Sequence, residues 1–268
     1  VQWDPNVIEY YRNLPRPSWQ QFGIPEIETE SLKKVLLSIR SQAVGVDGLP
    51  VALLHVLSDL ISPILCHIYN ISLRTGQYPT IWRQALITPV KKTPNPATVS
   101  DFRAINVLCT AGKVLDKIVF QELNHYLQIH EILDPKQSAY RTGHSTETAL
   151  VRVCDDMRRA MDQKKIVILV LIDFSRAFDR VRHDVILEVL SSVGVSAEMV
   201  SWFCSYLSGR TQRVRGPNGV LSKEECVQVG VPQGSVLSAM LFVLAILTMT
   251  QVLVDCSYMV YADDLQIY

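Results

Sequence analysis

Apolar residues along the chain follow two patterns, one with the 3.6-residue period of a helix and one of short continuous or alternating runs. Helical spacing predicts helices opened by Thr29, Pro50, Gly112, Ser145 and Ser196, with one more over residues 185–193. Strand-like runs lie at Trp82–Val90, Ile166–Ile172 and Ser257–Tyr268. Because helices and strands are interspersed, we expect an α+β (mixed α/β) fold with an antiparallel sheet packed on helices.

The run Ile166–Ile172 (IVILVLI) is unbroken, apolar and of strand length. Such a run is typical of a strand buried on both faces. It delivers Asp173 at its carboxyl end.

Two hairpins are predicted in the last quarter of the chain. Asn218-Gly219 supplies the positive-φ residues of a tight turn, and it joins Gln212–Arg215 to Cys226–Val231. The closing run Ser257–Tyr268 folds into a second hairpin, which carries Asp263 and Asp264 at its tip.

One stretch requires a membrane test. Val236–Val254 has no charged residue and approaches the roughly 20 apolar residues of a spanning helix. It also contains Ser238, Thr248 and Gln251, and no Lys or Arg flanks it to set a topology. We expect a buried helix, with a membrane span as the alternative.

Composition places the chain among ordinary globular proteins. It has 268 residues, of which 48% are apolar and 19% charged, with 26 basic residues against 26 acidic ones. Disorder and coiled coil are excluded as the main theme. Net neutrality argues against a nucleic-acid partner only on average, because Arg83–Lys113 has five basic residues and one acid, and Ser201–Lys223 has four basic residues and no acid.

The cysteines and the first residues bear on location. Six cysteines are present and no two lie closer than 22 residues, so a C-x-x-C metal site and a dense disulfide framework are excluded. The chain starts at Val1 without an apolar leader. We expect reduced thiols, an intracellular location in cytoplasm or nucleus without secretion, and a piece of a longer protein.

Three carboxylates are the strongest chemical feature. If the strand ending at Asp173 neighbours the hairpin of Asp263 and Asp264, their side chains meet, and unit charges about 4 Å apart repel by roughly 4 kcal/mol at an effective dielectric near 20. A divalent cation resolves this conflict, and oxygen ligands suit Mg²⁺, two ions of which can serve phosphoryl transfer. The alternatives are a solvated acidic turn and simple helix capping by Asp173 and Asp179, and for Asp179 capping is the favoured interpretation.

Several stretches together resemble the reverse transcriptase family, in particular the jockey-like type of non-long-terminal-repeat retrotransposons. Each is weak alone, but in this order they cover nearly the whole chain: Gly45–Pro50, Trp82–Lys92, Ser100–Leu108, Gln137–Thr146, Asp173–Asp179 (DFSRAFD), Gly230–Leu237 (GVPQGSVL) and Tyr261–Asp264 (YADD).

The resemblance implies a right-hand polymerase with fingers and palm. Asp173, Asp263 and Asp264 would be the catalytic carboxylates that bind two Mg²⁺ ions, with Mn²⁺ as a substitute, and the backbone carbonyl of Phe174 would complete the metal shell. Phe178 would exclude a ribose 2′-hydroxyl, and Gln233 would lie beside the incoming nucleotide. Without the family, Phe178 reads as a core aromatic.

The resemblance also implies contacts to phosphates. Lys91 and Arg103 would bind the triphosphate, with Lys92 as an alternative to Lys91 and a solvated loop charge as the alternative for either lysine. Arg141 and Gly143 would contact the template, or else be a surface arginine and a helix entry. Arg213 and Arg215, with Arg210, would lie along the duplex, or else form a charged edge strand.

Residues 1–80 would then be an N-terminal helical extension, 81–165 the fingers and 166–268 a truncated palm, with the thumb missing. Ala104 and Ser238-Ala239-Met240 depart from the family pattern around the nucleotide pocket. The expected partners are an RNA template, a DNA primer and deoxynucleoside triphosphates, without a membrane or an organic cofactor, and the oligomeric state stays open. The rival hypothesis is a decayed copy that keeps the fold without catalysis, and we expect the chain alone to be inactive.

Overall fold

The computed structural model of the chain describes residues 6–141, 143–174 and 176–268. The helices are α1 (Asn6–Asn13), α2 (Thr29–Leu37), α3 (Val51–Val56), α4 (Ser58–Thr75), α5 (Thr110–Ile129), α6 (Thr146–Asp162), α7 (Ala177–Arg180), α8 (His183–Ser192), α9 (Ala197–Leu207) and α10 (Val236–Ala245). The strands are β1 (Gln84–Lys91), β2 (Phe102–Val107), β3 (Val170–Asp173), β4 (Arg210–Val214), β5 (Glu225–Val227), β6 (Tyr258–Tyr261) and β7 (Asp264–Ile267). The predicted mixed α+β class is confirmed.

Local capping sets the helix starts that the sequence signals best. The hydroxyl of Ser145 accepts a hydrogen bond from the N–H of Thr148 at 3.2 Å and starts α6. Ser196 does the same for α9 through the N–H of Met199 at 3.3 Å. Both of these predicted caps are confirmed, whereas the prediction that Thr29 is an N-cap is wrong, because the N-cap of α2 is Glu28 and Thr29 is the first residue of the helix.

The first sheet has four strands in the order β2-β1-β4-β5. β1 pairs antiparallel with β2 and parallel with β4, and β4 pairs antiparallel with β5 in the predicted hairpin. Strands from residues 84–107 and 210–227 therefore share one sheet, which ties the segment expected to form the fingers to part of the segment expected to form the palm.

The second sheet has three antiparallel strands in the order β3-β7-β6. β7 is central, so residues of the closing hairpin are paired with the strand that ends at Asp173. This is the antiparallel sheet expected from the sequence. A small core of Ala149, Val153 and Met259 packs α6 against β6.

The prediction that Ile166–Ile172 is a strand buried on both faces is wrong. The strand begins only at Val170, and Ile166 and Ile168 are 93% and 74% exposed. The reason is position: β3 is an edge strand, and β7 is the element in the described part of the chain that makes extensive contact with it.

The main core is helical and contains the apolar segment that raised the membrane question. α10 is buried from Leu237 to Leu244 against α5 and α8, and a 3₁₀ turn, Leu247–Val252, follows it. In the described ranges no helix is long and apolar enough to cross a membrane. The expectation of a buried helix is confirmed.

Candidate active site

Two of the predicted carboxylates lie side by side on neighbouring strands of the second sheet. Asp264 opens β7 and lies directly opposite Asp173, the last residue of β3. Opposed residues of an antiparallel pair project from the same face with Cβ atoms about 5 Å apart. Asp263 is in the two-residue turn, after Ala262, whose φ is +55°. The strand adjacency predicted from the sequence is present for Asp173 and Asp264.

The donor set of this edge consists of oxygen atoms, which suits a hard divalent cation. As the side chains lie, no group of three His, Cys, Asp or Glu among the described residues is close enough to hold a metal ion. The side chains of Asp173 and Asp264 are exposed, however, so they can turn toward a cation without breaking the sheet. The site fits Mg²⁺ in ligand chemistry and is not a preformed cage.

The segment Lys136–Tyr140 braces the carboxylate hairpin. The buried amide of Gln137 accepts a hydrogen bond from the N–H of Ala262 at 3.2 Å, and the N–H of Ser138 donates to the carbonyl of Val260 at 2.9 Å. Burial raises the pKa of the Tyr140 hydroxyl, and the nearby charge of Asp263 raises it further. These contacts hold the turn that carries Asp263 close enough to Tyr140 for the Asp263 charge to act on its hydroxyl.

Sequence reasoning placed Gln137 and Tyr140 in a motif without giving either a role. In the structure Tyr140 has a φ of +59°, which is unusual for a bulky residue. This backbone conformation depends on the fold, so the sequence could not have marked Tyr140.

A cavity of about 450 Å³ is lined by Tyr140 and collects two of the predicted nucleotide-binding residues. Phe178 and Gln233 line it together with Tyr140, Phe120 and the Gly234–Ala239 region. Phe178 also stacks on Phe242, with ring centroids 4.4 Å apart, so it is partly a core aromatic and partly a cavity wall. Tyr140 therefore links the carboxylate hairpin to a cavity lined by Phe178 and Gln233.

Asp179 does not cap a helix, so the favoured interpretation from the sequence is wrong. It lies inside the short helix α7, whose N-cap is Arg176 in the left-handed region without a capping side chain. Its carboxylate accepts a hydrogen bond from Nε2 of Gln233 at 2.8 Å. The sequence could not show this, because 54 residues separate the two.

The cations expected to bind the triphosphate, Lys91 and Arg103, lie on the paired strands β1 and β2. Arg103 is paired with Val90, whereas Lys91 is paired with Phe102, so Lys91 and Arg103 project from opposite faces. β1 ends at Lys91, and Lys92 follows in a bend, where its N–H donates to the carbonyl of Asp101 at 2.7 Å. The choice between Lys91 and Lys92 as the companion of Arg103 stays a prediction.

Arg141 and Gly143 lie between the segment Lys136–Tyr140 and α6. The guanidinium of Arg141 donates to the carbonyls of Asp134 and Gln137 at 3.0 and 3.1 Å, which is a structural role. Gly143 is exposed, its φ is +77°, and a Cβ added to it would meet no atom within 4 Å. Residue 142 between them lies outside the described residues.

The arginines of the β4–β5 hairpin divide into two kinds. Arg213 and Arg215 are exposed, as a nucleic-acid contact requires. Arg210 is 3% exposed, donates to the carbonyl of Tyr206 at 2.9 Å and lies over the Tyr206 ring. The expectation that Arg210 joins a contact along the duplex is therefore wrong, because its side chain is in the core.

A buried carboxylate that sequence reasoning did not single out lies behind the cavity. Asp116 of α5 accepts hydrogen bonds from the hydroxyls of Ser235 at 2.6 Å and Tyr78 at 3.0 Å. Burial raises its pKa from 3.8 to about 6, against the opposing effect of these donors. Asp116 thus anchors the residue that follows Gly234 in the cavity wall.

Comparisons with known proteins indicate which family the chain resembles. The model of the family described as reverse transcriptase (RNA-dependent DNA polymerase) matches residues 90–268. A probable RNA-directed DNA polymerase from transposon BS of Drosophila melanogaster is 30% identical over 232 residues, covering 86% of this chain and 25% of that protein.

Two further relatives extend the comparison. The RNA-directed DNA polymerase from mobile element jockey of Drosophila melanogaster is 27% identical over 237 residues, which is 88% of this chain and 25% of the relative. A Retrovirus-related Pol polyprotein from type-1 retrotransposable element R2 of Popillia japonica is 27% identical over 175 residues, which is 65% of this chain and 24% of the relative.

The chain spans about a quarter of the length of these relatives. The family match covers well over half of the chain and includes all of the carboxylates, Phe178 and Gln233. The chain therefore belongs to the reverse transcriptase (RNA-dependent DNA polymerase) family, and within it resembles the jockey-like type of non-long-terminal-repeat retrotransposons.

Proposed function

We propose that this chain carries the catalytic centre of an enzyme that adds deoxynucleotides to a DNA primer 3′-hydroxyl on an RNA template. The observation that carries the proposal is the opposition of Asp173 and Asp264 on the paired strands β3 and β7. The charge of Asp263 acts on Tyr140, and Tyr140 lines the same cavity as Phe178 and Gln233. A phosphoryl-transfer site needs this juxtaposition of charged oxygen ligands and a nucleotide-sized space.

Asp173, Asp263, Asp264 and the carbonyl of Phe174 are the groups that would hold two Mg²⁺ ions, or Mn²⁺ in their place. When bound, such ions lower the pKa of an attacking hydroxyl and stabilise charge on the leaving oxygen. The chain's own contribution is to fix the carboxylates: Asp173 and Asp264 by strand pairing, and Asp263 by the bracing of the turn through Gln137.

The remaining residues would bind and select. Phe178 would lie under the sugar and exclude a 2′-hydroxyl, and Gln233 would contact the incoming nucleotide. Arg103, with Lys92 or Lys91, would bind the triphosphate. Arg213 and Arg215 are exposed and available to a duplex, whereas Arg141 and Gly143 would touch the template only beside the structural contacts that Arg141 already makes. An intracellular location belongs to the same proposal, since the substrates are intracellular.

Primer extension tests the proposal. The chain, extended at its carboxyl end through a thumb, is compared with Asp263→Ala on an RNA template with a DNA primer, in Mg²⁺ and in Mn²⁺. We expect Asp263→Ala to lower the incorporation rate on the order of 100-fold or more. Asp255→Ala removes another exposed carboxylate and is the matched control, which should leave the rate unchanged.

Equal incorporation by the extended protein and by Asp263→Ala would contradict the enzyme proposal. It would support the rival hypothesis, a decayed copy that keeps the fold without catalysis. Residues 1–268 alone should show no processive extension, because a duplex that no thumb holds dissociates. Processive extension by residues 1–268 would contradict that part of the proposal.

A further inference from the structure

The turn after β3 and the loop before α10 are joined along their backbones. The N–H of Val231 donates to the carbonyl of Phe178 at 2.9 Å, and the N–H of Gly230 donates to the carbonyl of Val181 at 2.7 Å. Nε2 of His183 lies 2.7 Å from the carbonyl oxygen of Gly230, and since a carbonyl can only accept, this nitrogen carries the proton.

The fit between the two segments is close enough to exclude a side chain. A Cβ on Gly230 would lie 2.8 Å from backbone atoms of Asp179, and the φ of Gly230 is +85°. The backbone of the loop therefore packs directly on the backbone at Asp179. This packing fixes the position of Asp179 relative to the loop, independently of any contact that the Asp179 side chain makes.

Within this frame Asp179 contacts one side chain of the loop. Its Oδ1 accepts a hydrogen bond from Nε2 of Gln233 at 2.8 Å. A carboxylate oxygen accepts hydrogen bonds, so it pairs with the NH₂ end of the amide and not with the oxygen end. The oxygen of Gln233 is therefore directed away from Asp179, and Gln233 also lines the 450 Å³ cavity.

We propose that Asp179 is a positioning residue that selects one orientation of the Gln233 amide and so presents its oxygen, as an acceptor, to the incoming nucleotide. The inference rests on the proposed function, since it assigns Gln233 a nucleotide contact. Without Asp179 the amide is free to turn by 180° and offers donors in place of the acceptor. Selection of the nucleotide then weakens, although the carboxylates at the sheet edge are untouched.

Two rival roles for Asp179 give different results. If Asp179 binds a cation or the nucleotide through its charge, then Asp179→Asn and Asp179→Ala are equally damaging. If Asp179 only stabilises the fold, its loss lowers the melting temperature and affects catalysis equally with or without Gln233. As a positioning residue, Asp179→Asn keeps an acceptor for the Gln233 N–H but adds an NH₂ that can pair with the Gln233 oxygen, so it restores only part of the function that Asp179→Ala loses.

The kinetic test uses the protein extended through a thumb and measures KM and kcat for a deoxynucleoside triphosphate. We expect Asp179→Ala to raise KM about tenfold, the equivalent of one hydrogen-bonding interaction, with a smaller change in kcat. Asp179→Asn should give a KM between those of Asp179→Ala and wild type, because its amide can pair with either end of the Gln233 amide. In a Gln233→Ala background, Asp179→Ala should add no further change, and Asp162→Ala, on α6, is the control for an exposed aspartate.

A second readout does not depend on activity. In ¹⁵N-labelled protein, the side-chain NH₂ signals of Gln233 are identified by their loss in Gln233→Ala. They should shift in Asp179→Ala and shift less in Asp179→Asn. Unshifted signals, or an undiminished effect of Asp179→Ala in the Gln233→Ala background, overturn the positioning role. A wild-type protein without incorporation but with the expected shifts instead refutes the proposed function and the nucleotide contact, while the orientation of the amide stands.

Discussion

At the scale of single residues, Asp116 carries a charge in an environment that opposes it. The residue is 1% exposed and its carboxylate accepts from the hydroxyls of Ser235, Tyr78 and, at 3.5 Å, Tyr206. Burial nevertheless dominates and raises the pKa from 3.8 to about 6. The folded protein therefore binds a proton at Asp116 more tightly than the unfolded chain does.

This shift makes stability depend on pH with a definite sign. Below pH 3.8 Asp116 is protonated in both states, and its contribution to stability is fully present. As pH rises through about 6 the folded state must hold a buried charge, so that contribution is lost. The difference between the two pKa values corresponds to about 3 kcal/mol at most.

Asp116→Asn should remove this dependence, because an amide still accepts from Ser235 and Tyr78 but never ionises. We expect the free energy of unfolding of wild type to fall relative to Asp116→Asn as pH rises from 4 to 7, measured by urea denaturation. Asp162→Asn changes an exposed carboxylate and should track wild type. Parallel pH profiles for wild type and Asp116→Asn would contradict the prediction.

The sequence distinguishes some of these residues and not others for a physical reason. Asp173, Asp263 and Asp264 stand at the ends of apolar runs, where local pattern alone predicts a strand end or a turn. Asp116 looks like one polar position on an amphipathic helix. Its burial depends on Ser235, which is 119 residues away, and no periodicity encodes that contact.

At the scale of elements, the β4–β5 hairpin shows how strand alternation divides residues of the same type. Arg213 and Arg215 are two positions apart on β4 and its continuation, and both are exposed. Arg210 is three positions from Arg213, so it projects from the opposite side and enters the core beside Tyr206. Residue type alone predicted one basic surface with all three arginines, but the alternation of side chains along the strand places Arg210 on the other side of the sheet.

Substitution of these arginines should therefore have two distinct effects. We expect the double variant Arg213→Gln and Arg215→Gln to weaken binding to an RNA–DNA duplex and to reduce the slope of log affinity against log salt by about 1.5 to 2. Arg210→Gln should instead lower the free energy of unfolding by about 2 kcal/mol, since it leaves the carbonyl of Tyr206 unpaired in the core.

Arg158→Gln changes one exposed arginine on α6 and controls for the loss of a surface charge outside the hairpin. Affinity measured by fluorescence anisotropy at several salt concentrations, together with urea denaturation, separates the two effects. An unchanged salt slope in the double variant would remove the hairpin from the nucleic-acid contact.

Element boundaries follow the same logic. The predicted strand Trp82–Val90 is observed as a 3₁₀ turn, Thr80–Arg83, followed by β1. Trp82 is apolar and buried, which made it indistinguishable from a strand residue in the sequence, but its ring packs against Tyr69 and Tyr78 in the helical core. The apolar pattern of the sequence correctly predicts that Trp82 is buried, but tertiary packing determines that its backbone forms a 3₁₀ turn and not a strand.

At the scale of the whole molecule, the distribution of apolar surface is the feature that sequence could not supply. An unbroken apolar run indicates a strand with two covered faces only if neighbouring elements are there to cover it. In the described chain β3 has β7 on one side, and the segment leading into it is exposed. The helical core was predictable because the spacing of apolar residues within a helix shows which face is buried. Burial of an edge strand depends instead on other elements that pack against it, and the strand's own sequence does not show whether they are present.

The exposed apolar segment predicts self-association of residues 1–268. Ile166, Ile168 and Leu171 are 93%, 74% and 69% exposed and lie on or just before β3. One edge of β3 pairs with no strand among the described residues, and such an edge is a template for pairing with another copy. We expect the weight-average mass in sedimentation equilibrium to rise with concentration in the micromolar range. Ile168→Lys together with Leu171→Lys should lower the association, because a charge on the edge opposes pairing.

Ile129→Lys adds a charge at an apolar residue that is 61% exposed on α5, outside this edge, and should leave the association unchanged. If the wild-type chain remains monomeric across that range, or if Ile129→Lys reduces association as much as the edge substitutions do, the edge of β3 is not the surface through which copies meet.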